Sequence, residues 1–300
     1  MRLGQAALAF VVIVDSVVAP QSGPISGGQA ATIPNPEMFY RQVRDNLARA
    51  QQASRLYSYK ERRSDLHTNL FGKMGTDGSN VFQVYPSLNP QLTYRQLIER
   101  NGRPVSAEEL ARQDREYRTK VAELQRRRTR EDEDDRKRRE QDEALTRRRA
   151  QLMIDDVVDA LQFRIGRRET YEGQPAVVVT FAPKAKWTPK TREGRIAQHF
   201  VGTVWVHETL KEVMRVEAKA IDDISFGFLV AKLNEGTTAS LTRRPLEHDL
   251  WMPTNLRLTG EGRAILFRRV TVNYAVEWFD YQKMNPTSPN ARESRNEVFQ

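Results

Sequence analysis

Near the carboxyl end, Val270, Val272, Tyr274, Val276 and Trp278 occupy every second position, and Thr271, Asn273, Ala275 and Glu277 fill the gaps. A strand sends alternate side chains to opposite faces, so this spacing prescribes a long strand with one apolar face. The preceding seventy residues repeat the pattern. Phe200–Lys219 runs through Trp205, turns at His207–Lys211 and returns through Met214, Val216 and Ala218, as expected of an antiparallel hairpin with one buried side. Two further segments of this kind follow it, and Leu266–Trp278 is the clearest. A chain built this way must form an antiparallel sheet, and the functional question is what its apolar face encloses.

Three hundred residues with 39% hydrophobic content can bury a core. Cysteine is absent, which excludes a disulfide framework, a thiol nucleophile, a cysteine zinc site and a lipidated amino-terminal Cys. The formal charge of +9 raises the question of a polyanionic partner. At the amino terminus, Arg2 precedes the apolar run Ala6–Val14, which suits a signal-peptide core and is too short to span a bilayer. Residues 1–30 are therefore expected to be a signal peptide, directing the chain to the periplasm, with a linker at 31–35.

The fold is expected to begin at Asn35-Pro36-Glu37, an N-cap followed by proline at the first helical position and an acid in the first turn. Phe39, Val43, Leu47 and Ala50 then make an apolar stripe at helical spacing. Residues 36–104 read as this covering helix and the first strands, Tyr57–Leu70, Val81–Tyr85 and Thr93–Glu99, with Gly72, Gly75 and Gly78 marking the first turn. Residues 162–284 read as the remaining strands of the same sheet, and 285–300 as a disordered polar tail.

Residues 105–161 interrupt the strands. Arg126–Glu143 contains eight bases, eight acids, one Thr and one Gln, so its own net charge is zero. Asp132 and Arg136, Glu133 and Lys137, Asp134 and Arg138, and Asp135 and Arg139 each put an acid four residues before a base, the orientation that supports a helix. One helix over this whole segment would be roughly 80 Å long. Leu124 mirrors Leu145 and Tyr117 mirrors Leu152 about Asp134-Asp135, which predicts a helical hairpin turning there.

Chemistry has little to work with. His67, His199, His207 and His248 fall in separate segments without metal-ligand spacing, no serine sits in a nucleophile elbow, and the Gly72–Gly78 run lacks a phosphate loop's Lys-Ser/Thr ending. No catalytic residue, metal site or cofactor is assigned, and the chain reads as a non-enzyme. Lys184, Lys186, Lys190, Arg192 and Arg195 cluster with Trp187, a composition compatible with an anionic membrane surface or an acidic envelope partner. Nucleic acid fits poorly, because the helical run neutralises itself. The candidate ligand-contacting residues are Met214, Val216, Phe228, Val272, Tyr274 and Trp278, whose faces suit a packed core as well as a cavity.

With Gly202-Thr203-Val204-Trp205-Val206-His207 returning through Val213-Met214-Arg215-Val216-Glu217, then Leu250-Trp251-Met252-Pro253 and a long closing strand, the chain resembles the outer-membrane lipoprotein-sorting (LolA/LolB-like) superfamily. The resemblance covers roughly residues 37–282 apart from the insertion, and carries no individual functional residue across. It implies an α+β fold, a strongly curved antiparallel sheet forming an incomplete barrel, lidded by helices and receiving lipoprotein acyl chains or similar hydrophobic cargo. His207 stands where that hairpin commonly has an acid, and the charged insertion is foreign to the minimal fold. The competing expectation is an envelope interaction or sensor scaffold working through the charged hairpin.

Overall fold

The computed structural model describes residues 35–68, 74–87, 92–226, 231–247, 250–264 and 268–284. The expected signal peptide, the carboxyl-terminal tail and the candidate Phe228 lie outside the described residues. Four helices are described, α1 (Pro36–Ser54), α2 (Ala107–Arg130), α3 (Glu133–Asp159) and α4 (Arg192–Ala197). The strands are β1 (Tyr57–Thr68), β2 (Met74–Tyr85), β3 (Tyr94–Arg100), β4 (Arg103–Pro104), β5 (Leu161–Tyr171), β6 (Gln174–Pro183), β7 (Phe200–His207), β8 (Val213–Ala220), β9 (Ile224–Phe226), β10 (Ala231–Leu233), β11 (Thr238–Glu247), β12 (Leu250–Ala264) and β13 (Arg268–Lys283). Their hydrogen-bonded order is β4-β3-β2-β1-β13-β12-β11-β8-β7-β6-β5, with β10 pairing β12 and β9, and it does not close. The α+β class and the open antiparallel sheet expected from the sequence are therefore present. No described helix is long and apolar enough to cross a membrane.

The described chain forms two compact units. The first contains residues 35–52, 64–68, 74–77 and 152–277 apart from the gaps already stated, and the second contains 53–63, 78–151 and 278–284 on the same terms.

In the first unit, α1 begins where its capping signal lies. The Asn35 side chain accepts from the Met38 amide at 2.9 Å, and Phe39, Val43, Leu47 and Ala50 are buried together with Tyr40. Tyr40 packs on Phe163 of β5, with ring centroids 6.5 Å apart, so the helix covers the sheet through an aromatic contact. The β5–β6 turn uses Glu172 and Gly173, both at positive φ (48° and 78°), the backbone of the tight hairpin turn whose twist matches the strands.

In the second unit, Asn101 and Gly102 make the same kind of turn between β3 and β4, with φ of 53° and 76°. Asn101 also explains Gly78. A Cβ on Gly78 would come within 1.7 Å of the Asn101 Oδ1, which accepts from the Ser79 amide. Gly75 and Gly78 accordingly lie inside β2 rather than in the turn expected of them. The edge of β3 is sealed by α2. The Gln113 amide accepts from the Leu97 N–H at 2.8 Å and donates to its carbonyl at 3.1 Å, doing for that residue what a neighbouring strand would do. Beside it the Tyr94 and Tyr117 rings stack at 4.3 Å, Tyr117 donates to the Leu92 carbonyl, and Tyr94 donates to Asp114. Burial first, then the Asp114 bond, push the Tyr94 phenol up.

The charged segment forms two helices, and the break falls at Glu131-Asp132 rather than Asp134-Asp135. Neither glycine nor asparagine makes it. Asp132 acts as N-cap of α3, accepting from the Asp135 amide at 2.8 Å. Arg139, expected to pair with Asp135, instead reaches Glu131 at 2.9 Å and Glu143 at 3.1 Å. Glu133–Lys137 forms as expected at 2.9 Å. Tyr117 packs on β3, and Leu145 and Leu152, expected to mirror Leu124 and Tyr117, are 49% and 45% exposed.

Candidate ligand-binding face

Cross-strand register in the first unit assembles two continuous apolar rows over seven strands. One runs Val276, Leu256, Leu241, Val216, Val204, Val179, Ile165 from β13 to β5. The next runs Tyr274, Leu258, Ala239, Ala218, Gly202, Phe181, Phe163 through the same strands. Side-chain bulk along this second row falls from both ends towards its middle. Beyond it Val272 pairs with Gly260, and Phe200 with Ala220. A Cβ on Gly202 would lie 2.4 Å from the Phe181 ring and 2.1 Å from the Glu217 carbonyl oxygen. Phe181 thus leans over a position that tolerates no side chain.

Three of the six candidate residues share this face. Val216, Tyr274 and Val272 sit in its successive rows, and all are buried. Met214 does not join them. A register shift between Trp205 and Val206 intervenes, and Met214 packs instead with Ala176 and Trp251, flanked by Tyr171 and Trp205. Trp278 belongs to the second unit, where its indole donates to Glu61 Oε2 at 3.1 Å. Glu61 is only 3% exposed, and its other oxygen accepts from Arg63 at 2.5 Å and Arg95 at 2.6 Å. Sequence reading missed Phe163, Phe181, Leu241, Leu256 and Leu258. Their alternation was visible, but rows across strands depend on register, which no single strand encodes.

At the β7–β8 turn, His207 does what an acid at that position could do. Its Nδ1 accepts from the Thr209 and Leu210 amides, both at 3.2 Å, which requires an unprotonated nitrogen. Burial, then Lys211, push the imidazole down, with Glu208 opposing. The folded state binds this proton more weakly than the unfolded chain, so the contribution is complete above about pH 6.5 and is lost as the pH falls towards the lowered value. The melting temperature should therefore drop on acidification through that range, and His207→Asn should flatten the dependence. An unchanged slope in the variant would contradict the assignment.

A groove of about 350 Å³ lies on β5, β6 and β7, lined by Gln162, Arg164, Thr180, Phe181, Ala182, Val201, Gly202 and Thr203. The side chains of Gln162, Arg164, Thr180, Ala182, Val201 and Thr203 alternate with Phe163, Phe181 and Val204 and so belong to the opposite face of the sheet, while Phe181 and Gly202 of the second row border the same groove. No group of three or more His, Asp or Glu among the described residues is arranged to hold a metal.

No family model matches the chain, and no curated protein matches it. Similar solved structures include a DUF1329 family protein from Desulfovibrio piger, at 12% identity over 87% of this chain and 98% of that one, with a TM-score of 0.27. A putative outer membrane lipoprotein-sorting protein domain from Vibrio parahaemolyticus is similar at 12% identity over 84% and 95% of the two chains, with a TM-score of 0.29. A LolA superfamily protein from Nitrosomonas europaea is similar at 9% identity over 84% and 96%, with a TM-score of 0.28.

Proposed function

We propose that the protein is an exported, non-enzymatic binder or carrier of a lipid-like molecule or lipoprotein acyl chain, held on the apolar face of the first unit. The observation that carries this reading is the graded row Tyr274-Leu258-Ala239-Ala218-Gly202-Phe181-Phe163, whose bulky ends flank a small-residue centre. Binding would be burial without chemistry, at about 25 cal/mol per Å² of apolar surface. Helix α1, held on the sheet by Tyr40 and Phe163, is the element that would move to admit cargo. The apolar run Ala6–Val14 supports export to the periplasm.

The test is lipid extraction and native mass spectrometry of protein taken from its own envelope, joined to titration with a fluorescent fatty acid. Ala239→Phe fills the middle of the row. It should weaken the probe at least about tenfold while leaving the fold intact, whereas in a filled core it would cost about 1–3 kcal/mol and leave no probe binding to lose. Absence of any co-purifying hydrophobic molecule, with a titration indifferent to the substitution, would overturn the reading.

One observation favours the scaffold alternative. Leu145 and Leu152 lie one heptad apart on α3 and are exposed. Removing Arg126–Glu143 should abolish capture of an envelope partner if the helices are the working surface, and should leave probe binding unchanged if the sheet is.

A further inference from the structure

We infer that the segment between β6 and α4 docks the protein on anionic phospholipid. Between Pro183 and Arg195 stand five basic residues and one acid, Glu193, whereas the equally conspicuous charged run 126–143 is neutral overall. Lys184, Lys186, Lys190 and Arg195 have no acidic partner among the described residues, and Lys186, Lys190 and Arg195 are exposed. The Lys184 and Lys190 ammonium groups lie 5.5 and 6.0 Å from the centre of the Trp187 ring, so two cations share one aromatic ring.

The segment is anchored from within. Asp156, nearly fully buried at the end of α3, accepts from the Lys190 amide at 2.9 Å, the Thr191 amide at 2.6 Å and the Thr191 hydroxyl at 2.8 Å. Burial pushes this carboxyl up, but these hydrogen bonds outweigh it and hold the group below the ordinary range. Gly194 permits the approach, since a Cβ there would lie 2.3 Å from the Asp156 oxygen. Lys184 donates its amide to the Ala160 carbonyl, and Gln198 holds the Trp187 carbonyl at 2.9 Å. The lysines are therefore displayed from a fixed platform.

The chemistry favours a lipid surface over an acidic protein. Three of the five cations are lysines, which act as hydrated point charges, without the fork geometry that reads a particular carboxylate. Lysine stems flanking a tryptophan suit the boundary between head groups and acyl chains. This docking does not depend on the cargo reading, because vesicle binding and probe binding are separate measurements.

The experiment is co-sedimentation of the full chain with phosphatidylcholine vesicles, with and without phosphatidylglycerol. Binding should require the anionic lipid and weaken with salt. Lys184→Gln/Lys186→Gln/Lys190→Gln should lower the partition coefficient about a hundredfold. Arg126→Gln/Arg127→Gln/Arg130→Gln removes the same charge from exposed positions of α2 and should change it little. Equal losses in the two variants, equal binding to neutral vesicles, or no vesicle binding at all would overturn the assignment. So would a loop-dependent preference for soluble polyglutamate over anionic vesicles, which would identify an acidic protein partner.

Discussion

Glu212→Leu should destabilise the first unit by about 3–5 kcal/mol, measured by urea unfolding followed through tryptophan fluorescence. Glu212 follows the β7–β8 turn and is 1% exposed, and Arg243 of β11, 5% exposed, approaches its carboxylate at 3.7 Å. Arg243 also donates to the Trp251 carbonyl at 2.6 Å, which fixes the guanidinium where the carboxylate can be reached. Removing the acid takes the Glu212 charge away from a desolvated cation, and that penalty exceeds what the intact pair contributes. Two companions discriminate the cause. Arg49 also reaches Glu212, at 3.3 Å, but is 52% exposed. Arg49→Ala should therefore cost no more than about 1 kcal/mol. Glu212→Leu/Arg243→Met should recover most of the loss, since it removes the buried cation together with the acid. If the double variant is no more stable than the single one, the buried charge is not the source.

Phe163→Ala should cost a similar amount, about 3–5 kcal/mol, for a different reason. Phe163 is buried between Tyr40 of α1, 6.5 Å away, and Phe181 of β6, 6.1 Å away. The substitution opens a cavity where the helix meets the sheet. Tyr40→Phe keeps the ring that packs on Phe163, so it should cost far less than Phe163→Ala. Under the proposed function, loosening α1 has a second consequence. Exchange of a fluorescent fatty acid should become faster in Phe163→Ala, and an unchanged exchange rate would remove α1 from the role of lid.

Much of the architecture could be read before any coordinates. Asn35-Pro36-Glu37 and the stripe Phe39, Val43, Leu47, Ala50 specify α1 because capping and helical periodicity act within a few residues. The same locality made the strands of the hairpin Phe200–Lys219 legible. Tyr40 escaped notice because its burial comes from Phe163, more than a hundred residues away. The turn at Asp134-Asp135 was misplaced for the converse reason. Symmetric leucines suggested packing between helices, while an aspartate cap at Asp132 and the aromatic surface of β3 offered Tyr117 and the backbone better partners.

The candidate face divides along the same line. Alternation within a strand determines that Val272, Tyr274 and Val276 share a side, and that much is a property of the sequence alone. Which residues stand beside them is decided by register and by irregularities between strands. The shift at Trp205/Val206 intervenes before Met214, which joins Trp251 rather than Val216, although Met214 and Val216 stand two apart in the sequence. Trp278 continues the alternation of Val272, Tyr274 and Val276, yet its indole is engaged by a buried carboxylate of the second unit. Local periodicity determines which way a side chain points. Its neighbours are determined by hydrogen-bond pairing between distant segments, whose free energy is distributed over whole strands, and only the tertiary structure expresses that choice.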